Sequence, residues 1–336
     1  MILIDALYVN ISGGKILLDY LIKEFNKSNL DVFYLFDSRI KEKHPIVKHQ
    51  NFIYLEPSLM KRHRFYQENK HKFTKILCFG NLPPSVKTLA TVYTYFHQPL
   101  FISIGKEIPL IQRMKLLFKT LILRNLVTNS NYWIVQSEFM KRSLINKFGL
   151  QNKIDAVKVI PFYPSISFEK KNNKRKKQLV YISSGEKHKN HERLLAAYTR
   201  FYDKNGTYEL HLTVEKKFKF LHNLIGELQS KNYPIINHEY LNRQELKELY
   251  ESSEYLIYPS LAESFGLGIV EALECGCKVI GSDLPYLHAV CVPSLSFNPE
   301  SVEDMFISLN KIILGNIKPS EQLIFNKVEE LINLFK

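Results

Sequence analysis

Two carboxylates, Glu263 and Glu271, stand eight residues apart in the segment 258–283, YPSLAESFGLGIVEALECGCKVIGSD, with Gly266 and Gly268 between them. Alone, such a pair means little. In a strand–loop–glycine–helix frame it suits nucleotide chemistry. Glycines let backbone approach a ligand closely, and the free N–H groups of a new helix attract phosphate. Glu271, about one turn inside that helix, is placed to accept hydrogen bonds from a ribose hydroxyl pair. Glu263, on the loop before it, lies where a sugar bound to that phosphate would sit. A second charged group, Lys187-His188-Lys189-Asn190, follows a strand and precedes a helix. A departing phosphate needs positive charge placed beforehand, although taken alone such a charge pair is more often a solvated helix start. Gly13-Gly14 follows the first strand and would turn backbone N–H groups toward an anion, but G-x-G-x-x-G is absent there. His97, one of eleven histidines, ends a strand in Tyr95-Phe96-His97-Gln98-Pro99; most lone histidines are structural or solvated.

The elements that must position these residues alternate along the whole chain. In the first half, β-branched and aromatic runs predict strands at 2–7, 31–36, 52–55, 76–79, 91–96 and 132–136, with amphipathic stretches at 15–26 and 138–148. In the second half, strands are expected at 179–183, 209–214, 235–240, 255–259 and 279–282. Helices start there near His191, Lys217, Arg243 and Leu267. Near-continuous apolar strands alternating with helices indicate parallel sheets covered on both faces. The polar run EKKNNKRKK, 169–177, reads as a solvated linker between two doubly wound α/β domains. Such domains bind ligands at the carboxyl ends of their strands, in the cleft between them.

The second-half motif resembles the E-x7-E motif of the retaining glycosyltransferases of family 4. The likeness takes in Pro259-Ser260 before it, Glu271-Ala272-Leu273, Cys275-Gly276 and Val279-Ile280 after it, Gln244-Glu245-Leu246…Leu249-Tyr250 upstream and Phe297-Asn298-Pro299 downstream. The resemblance implies a GT-B fold: an acceptor-binding Rossmann-like domain over 1–168, the linker 169–177, and a nucleotide-sugar-binding Rossmann-like domain over 178–320. A C-terminal helix over 321–336 would return to the first domain. It further implies His97, Glu263 and Lys189 as the catalytic set. The donor contacts implied are Gly14, Lys187, Lys189, Tyr240, Leu241, Glu263, Phe265, Gly266, Leu267, Gly268 and Glu271. His97 would touch the transferred sugar, and the departing phosphate would take the acceptor's proton. No cofactor and no metal are implied, and none of the eight aspartates forms an Asp-x-Asp clamp. Three departures touch the hinge and the nucleotide base: Pro161-Phe162-Tyr163 for the usual Pro-Asn-Gly, Glu215 for a glycine, and Glu239-Tyr240 for a glycine-containing turn.

Charge adds a partner. Residues 1–168 hold 24 Lys+Arg against 11 Asp+Glu, the entire net excess of +13, whereas 169–336 are balanced. A one-sided field attracts anionic lipid or nucleic acid; solvated lysines without a partner are the plain alternative. The basic stretch 111–126, IQRMKLLFKTLILRNL, fits an anionic interface and equally an ordinary helix packed on a sheet. The second basic stretch carries lysines and arginines at 61, 62, 64, 70, 72 and 75. No nucleic-acid motif is present, so nucleic acid ranks last. The start MILIDALYVN reads as a strand rather than a leader, and no run reaches the ~18 apolar residues of a spanning helix. Four cysteines in no framework spacing suit a reducing compartment. The expectation is a cytoplasmic hexosyltransferase, peripheral on the inner face of the cell membrane. It would move a sugar from a nucleoside diphosphate to a lipid-linked or polysaccharide hydroxyl with retention. A nucleotide-sugar epimerase, or a basic binding module with a relic cleft, are the alternatives.

Overall fold

The computed structural model describes residues 1–43, 51–166 and 176–336. These form two compact units. The first comprises Met1–Ile104, Pro109–Pro164 and Phe325–Lys336, the second Gly105–Ile108 and Ser165–Ile324. Of the expected linker, 169–175 lie outside the described residues, while Lys176 and Lys177 open a strand.

The first unit runs β1 (Ile2–Ala6), α1 (Ser12–Lys27), β2 (Val32–Asp37), β3 (Phe52–Leu55), α2 (Leu59–Asn69), β4 (Lys75–Cys78) and β5 (Thr91–Tyr95). It continues with α3 (Leu110–Leu126), β6 (Tyr132–Val135), α4 (Glu138–Phe148) and β7 (Val157–Val159). The seven strands are parallel in the order β3-β2-β1-β4-β5-β6-β7. All five residues of β1 are buried, as expected for a central strand sandwiched on both faces. Helix α4 shows how locally its ends are specified. Ser137 accepts from the Met140 N–H at one end, and Gly149 takes a left-handed φ of 71° at the other.

The second unit runs β8 (Lys176–Tyr181), α5 (His191–Asn205), β9 (Glu209–Leu212), α6 (Lys219–Ser230), β10 (Ile235–Asn237), α7 (Arg243–Ser252), β11 (Ser253–Tyr258), α8 (Leu267–Glu274) and β12 (Lys278–Ser282). After these come α9 (Pro285–His288), β13 (Cys291–Val292), β14 (Leu295–Phe297), α10 (Val302–Lys311) and β15 (Glu321–Gln322). Six strands are parallel in the order β10-β9-β8-β11-β12-β14, and β13 pairs antiparallel with β15. The expected strand over 235–240 stops at Asn237 because Glu239 sits in the left-handed region at φ 59°. All four cysteines are buried.

The last helix, α11 (Val328–Asn333), belongs to the first unit. Phe335 packs edge-on against Phe25 of α1 at 5.7 Å between ring centroids, Asn326 donates to the Tyr20 hydroxyl at 2.8 Å, and the Lys75 ammonium donates to the Leu334 carbonyl at 3.0 Å. In each unit, strand order reverses once beside the first strand: between β1 and β4, and between β8 and β11. The residues just past the carboxyl ends of these four strands therefore occupy the two places where doubly wound sheets hold ligands.

Candidate functional site

In the second unit, the turn after β8 and the loop after β11 are laced together. Asn190 adopts a left-handed φ of 63°, and its side-chain amide donates to the carbonyls of Pro259 (3.0 Å) and Pro299 (2.8 Å). The Leu261 N–H donates to the His188 carbonyl at 2.8 Å, and the Tyr181 hydroxyl donates to the Lys189 carbonyl at 2.9 Å. With both loops fixed, the Lys189 ammonium meets Glu263 Oε1 at 2.6 Å, and the Tyr258 hydroxyl donates to the same oxygen at 3.0 Å. Burial alone would push the Glu263 carboxyl up. The charge and hydrogen bond of Lys189 outweigh it and hold the group below the usual carboxylate range. Lys189 and Glu263 are thus ionised partners, separated by 74 residues in sequence.

Three residues beyond Glu263 the chain enters α8 through Gly266, at φ 76°; a β-carbon there would stand 2.7 Å from the Ile269 side chain. No side chain caps this helix start, which leaves N–H donors for an anion. Phe265 is buried just before the turn, while Leu267 and Gly268 are half-buried at its head. A β-carbon on Gly268 would approach the Tyr250 hydroxyl to 3.3 Å. Glu271 is buried on the next turn, where Arg243 Nη1 donates to its Oε1 at 3.1 Å. Burial pushes its carboxyl up to about 7 against the opposing pull of Arg243. Arg243 is the first residue of α7, presented by a capping box between Asn242 and Glu245.

Other expected donor residues lie apart from this pair. The Lys187 ammonium pairs with Glu192 and stands over the Phe220 ring, 5.2 Å from its centroid. Tyr240 is 78% exposed, in the loop with Leu241 that leads to α7. Tyr258, Tyr181 and Arg243 do not stand out by type or spacing: an aromatic within a strand reads as core, and a helix-start arginine reads as solvated. Asn190 did carry a signal, since it directly follows Lys189 in the basic turn.

The first unit brings Gly14 and His97 together. A β-carbon on Gly14 would be 3.4 Å from His97 Nε2, whereas one on Gly13 would meet nothing within 4 Å. The His97 backbone N–H donates to Asn81 Oδ1 at 2.6 Å, and Asn81 Nδ2 faces His97 Nε2 at 3.4 Å. The imidazole stacks on Tyr95 at 4.8 Å between centroids. Burial pushes its pKa down to about 4, so it is neutral near pH 7. Its Nδ1 is buried and, among the described residues, has no hydrogen-bond partner. With Asn81 donating to Nε2, the ring proton stands on Nδ1. Beneath this site, Arg62 pairs with Asp5 at 2.7 Å and donates to the carbonyls of Leu82 (2.7 Å) and Pro83 (2.8 Å).

The second unit therefore offers a lysine, a helix start, the part-buried Glu263 and the buried Glu271 at one sheet switch point, a set suited to a phosphate-linked sugar. Residues 163–324 match the family model of glycosyl transferases group 1. The fold as a whole is GT-B. It is similar over 94% of this chain to the lipopolysaccharide outer core galactosyltransferase WaaB (15% identity, 91% of that chain, TM-score 0.62). Sucrose-phosphate synthase of Thermosynechococcus elongatus gives a TM-score of 0.70 at 15% identity, over 94% and 90% of the two chains. HepE of Anabaena, in complex with UDP-glucose, gives 0.66 at 15% identity, over 93% and 89%. Sequence relatives match over shorter stretches. The O-antigen chain mannosyltransferase RfbU of Salmonella typhimurium is 36% identical over 81 residues, 24% of this chain and 23% of that one. The serotype-specific mannosyltransferase WbdA of Escherichia coli is 36% identical over 67 residues, 20% of this chain and 8% of that one. The matched stretch thus spans less than a quarter of these curated relatives.

Proposed function

We propose that this glycosyltransferase-like chain moves a hexose from a nucleoside diphosphate sugar to a hydroxyl of a lipid-linked or polysaccharide acceptor, with retention at the anomeric carbon, at the cytoplasmic side of a membrane. The observation that carries the reading is the part-buried Lys189–Glu263 pair at 2.6 Å, immediately before the uncapped start of α8. In this reading the donor diphosphate takes the place of one Lys189 partner and lies against the α8 N–H groups, while Glu271 accepts from the ribose hydroxyls. Glu263 orients the sugar, and His97 and Gly14 contact the transferred sugar and diphosphate. The bond between C1 and the phosphate oxygen breaks with its electron pair left on the diphosphate. The acceptor oxygen bonds to C1 on the same face, and its proton passes to the departing phosphate. The ammonium and the helix start neutralise that leaving group, so the reaction is proposed to need no metal. That HepE was solved with UDP-glucose supports a nucleotide-sugar donor, and the mannosyltransferase relatives make a nucleoside diphosphate mannose the other donor to try first.

A thermal-shift screen with UDP, GDP, ADP, CMP and dTDP in the presence of chelator tests the site. One nucleotide at ~100 times its dissociation constant should stabilise the protein by about 2.7 kcal/mol. No shift with any of the five would overturn the donor-site reading, and a shift only on adding divalent ions would overturn its metal independence.

A further inference from the structure

Helix α3 is attached to the first unit by a narrow stripe. Leu116 and Leu123 are its buried residues, and Leu123 and the following Val127 join the cluster around Trp133 and Met140. Its opposite face is not polar. Leu110, Ile111, Met114, Leu117, Phe118 and Leu121 are each between 54% and 72% exposed. At 3.6 residues per turn these six fall within an arc of about 120°. Arg113 and Arg124 lie along one border of the arc, Lys115 and Lys119 along the other, and the helix contains no Asp or Glu. Scattered apolar residues on a surface need no explanation, but six aligned on one helix face do.

We propose that α3 is a membrane-docking helix that lies in the plane of an anionic bilayer, its six apolar side chains sunk among the acyl chains and its four cations at the lipid phosphates. The geometry matches in-plane binding, in which a broad apolar face sinks about 5–10 Å and long basic side chains reach back to the headgroups. Charge selects this occupant over a second copy of the chain. A twofold pairing of two α3 faces would bring like-charged borders together, whereas anionic lipid complements both borders and the +13 excess of the N-terminal half. The helix is not long and apolar enough to cross a membrane, consistent with lying on it. The docking is independent of the donor-site reading, since none of these ten residues belongs to that site.

Flotation of the full chain with phosphatidylcholine vesicles, with and without a third of phosphatidylglycerol, tests the proposal. Binding to the anionic vesicles is expected, weakened by high salt. Leu117→Ser with Phe118→Ser should lower it at least about tenfold. Lys115→Gln with Lys119→Gln should lower it by roughly 30-fold, about fivefold per cation. All four side chains are exposed, so melting temperature should stay at the parent value. A reporter variant, Phe118→Trp, should show a blue shift of emission only with anionic vesicles, because the single native tryptophan, Trp133, is already buried. Equal binding by parent and variants would overturn the assignment to α3. So would an absence of vesicle binding combined with a concentration-dependent dimer that the Leu117→Ser, Phe118→Ser protein fails to form.

Discussion

Past the ends of β8 and β11 the polar groups are charge-bearing side chains held in pairs, Lys189 with Glu263 and Arg243 with Glu271. Where Gly14 and His97 meet, past β1 and β5, the contacting groups are neutral: Asn81, a His97 kept uncharged by burial, and the backbone of Gly14. Ion pairs of the first unit stand beside that contact, Asp37 with Arg39 at the end of β2 among them. Arg62 and Asp5 are sealed beneath the strand ends, and the lysines and arginines of α3 line its surface. The difference teaches where each unit invests charge. In the proposed chemistry the second must meet an anion that gains charge as the bond breaks, which calls for cations held in place by partners. In the same proposed chemistry the first meets the hydroxyls of the transferred sugar with a neutral imidazole, and the diphosphate only through the Gly14 backbone.

The largest stability effect should come from the sealed pair of the first unit. Arg62→Ala strands the Asp5 carboxylate and two carbonyls, and should destabilise by about 3–5 kcal/mol in urea unfolding; a loss below about 1 kcal/mol would show that this pair resembles a surface one. Next, Lys189→Ala and Glu263→Ala should each lower turnover by about 10²–10³-fold. The Lys189→Ala protein should also be less stable than the Lys189→Ala, Glu263→Ala double variant, because only the single one leaves the part-buried Glu263 carboxylate without its cation. Full turnover by either single variant would end the proposed roles.

A third effect separates the two carboxylates of the second unit by pH. Glu271 holds its proton more tightly folded, at about 7, than at the ordinary 4.5. Its contribution therefore falls as pH rises between those values and is level above. Glu263 is held below 4.5, so its contribution is present above that value and lost as pH falls. Glu271→Gln should remove a decline on the order of 2 kcal/mol between about pH 4.5 and 7, read from urea midpoints. An unchanged slope would mean that Arg243 keeps Glu271 ionised throughout. The smallest effect belongs to Lys187, whose ammonium is half exposed with Glu192 as partner. Lys187→Ala should change stability by less than about 1 kcal/mol and nucleotide affinity only a few-fold. A loss as large as that of Lys189→Ala would make it an equal phosphate ligand.

The alternation of apolar strands and amphipathic helices made both parallel sheets legible, because a strand buried on two faces must be apolar at every position, as in all five residues of β1. Short elements escaped. β7 is Val157–Val159, with a lysine at its centre, and β13 and β15 are two residues each, too short to show any period. Gly266 could be placed at a helix start from its neighbours alone, and its left-handed φ of 76° is one that glycine adopts without strain.

By itself, then, the sequence determined the two-domain α/β plan and the basic character of one half, and it singled out candidate residues for chemistry, all from local pattern and composition. Only the tertiary structure decided which of those residues meet. Lys189 reaches Glu263 while Lys187, two residues away, turns to Glu192. Gly14 adjoins His97 while Gly13 adjoins nothing. Helix α3 exposes its apolar face and buries only a narrow stripe. The physical reason is the same in each case: a side chain's partner and its exposure are set by elements distant in sequence, and one residue's shift along a turn or helix redirects it by about 100°.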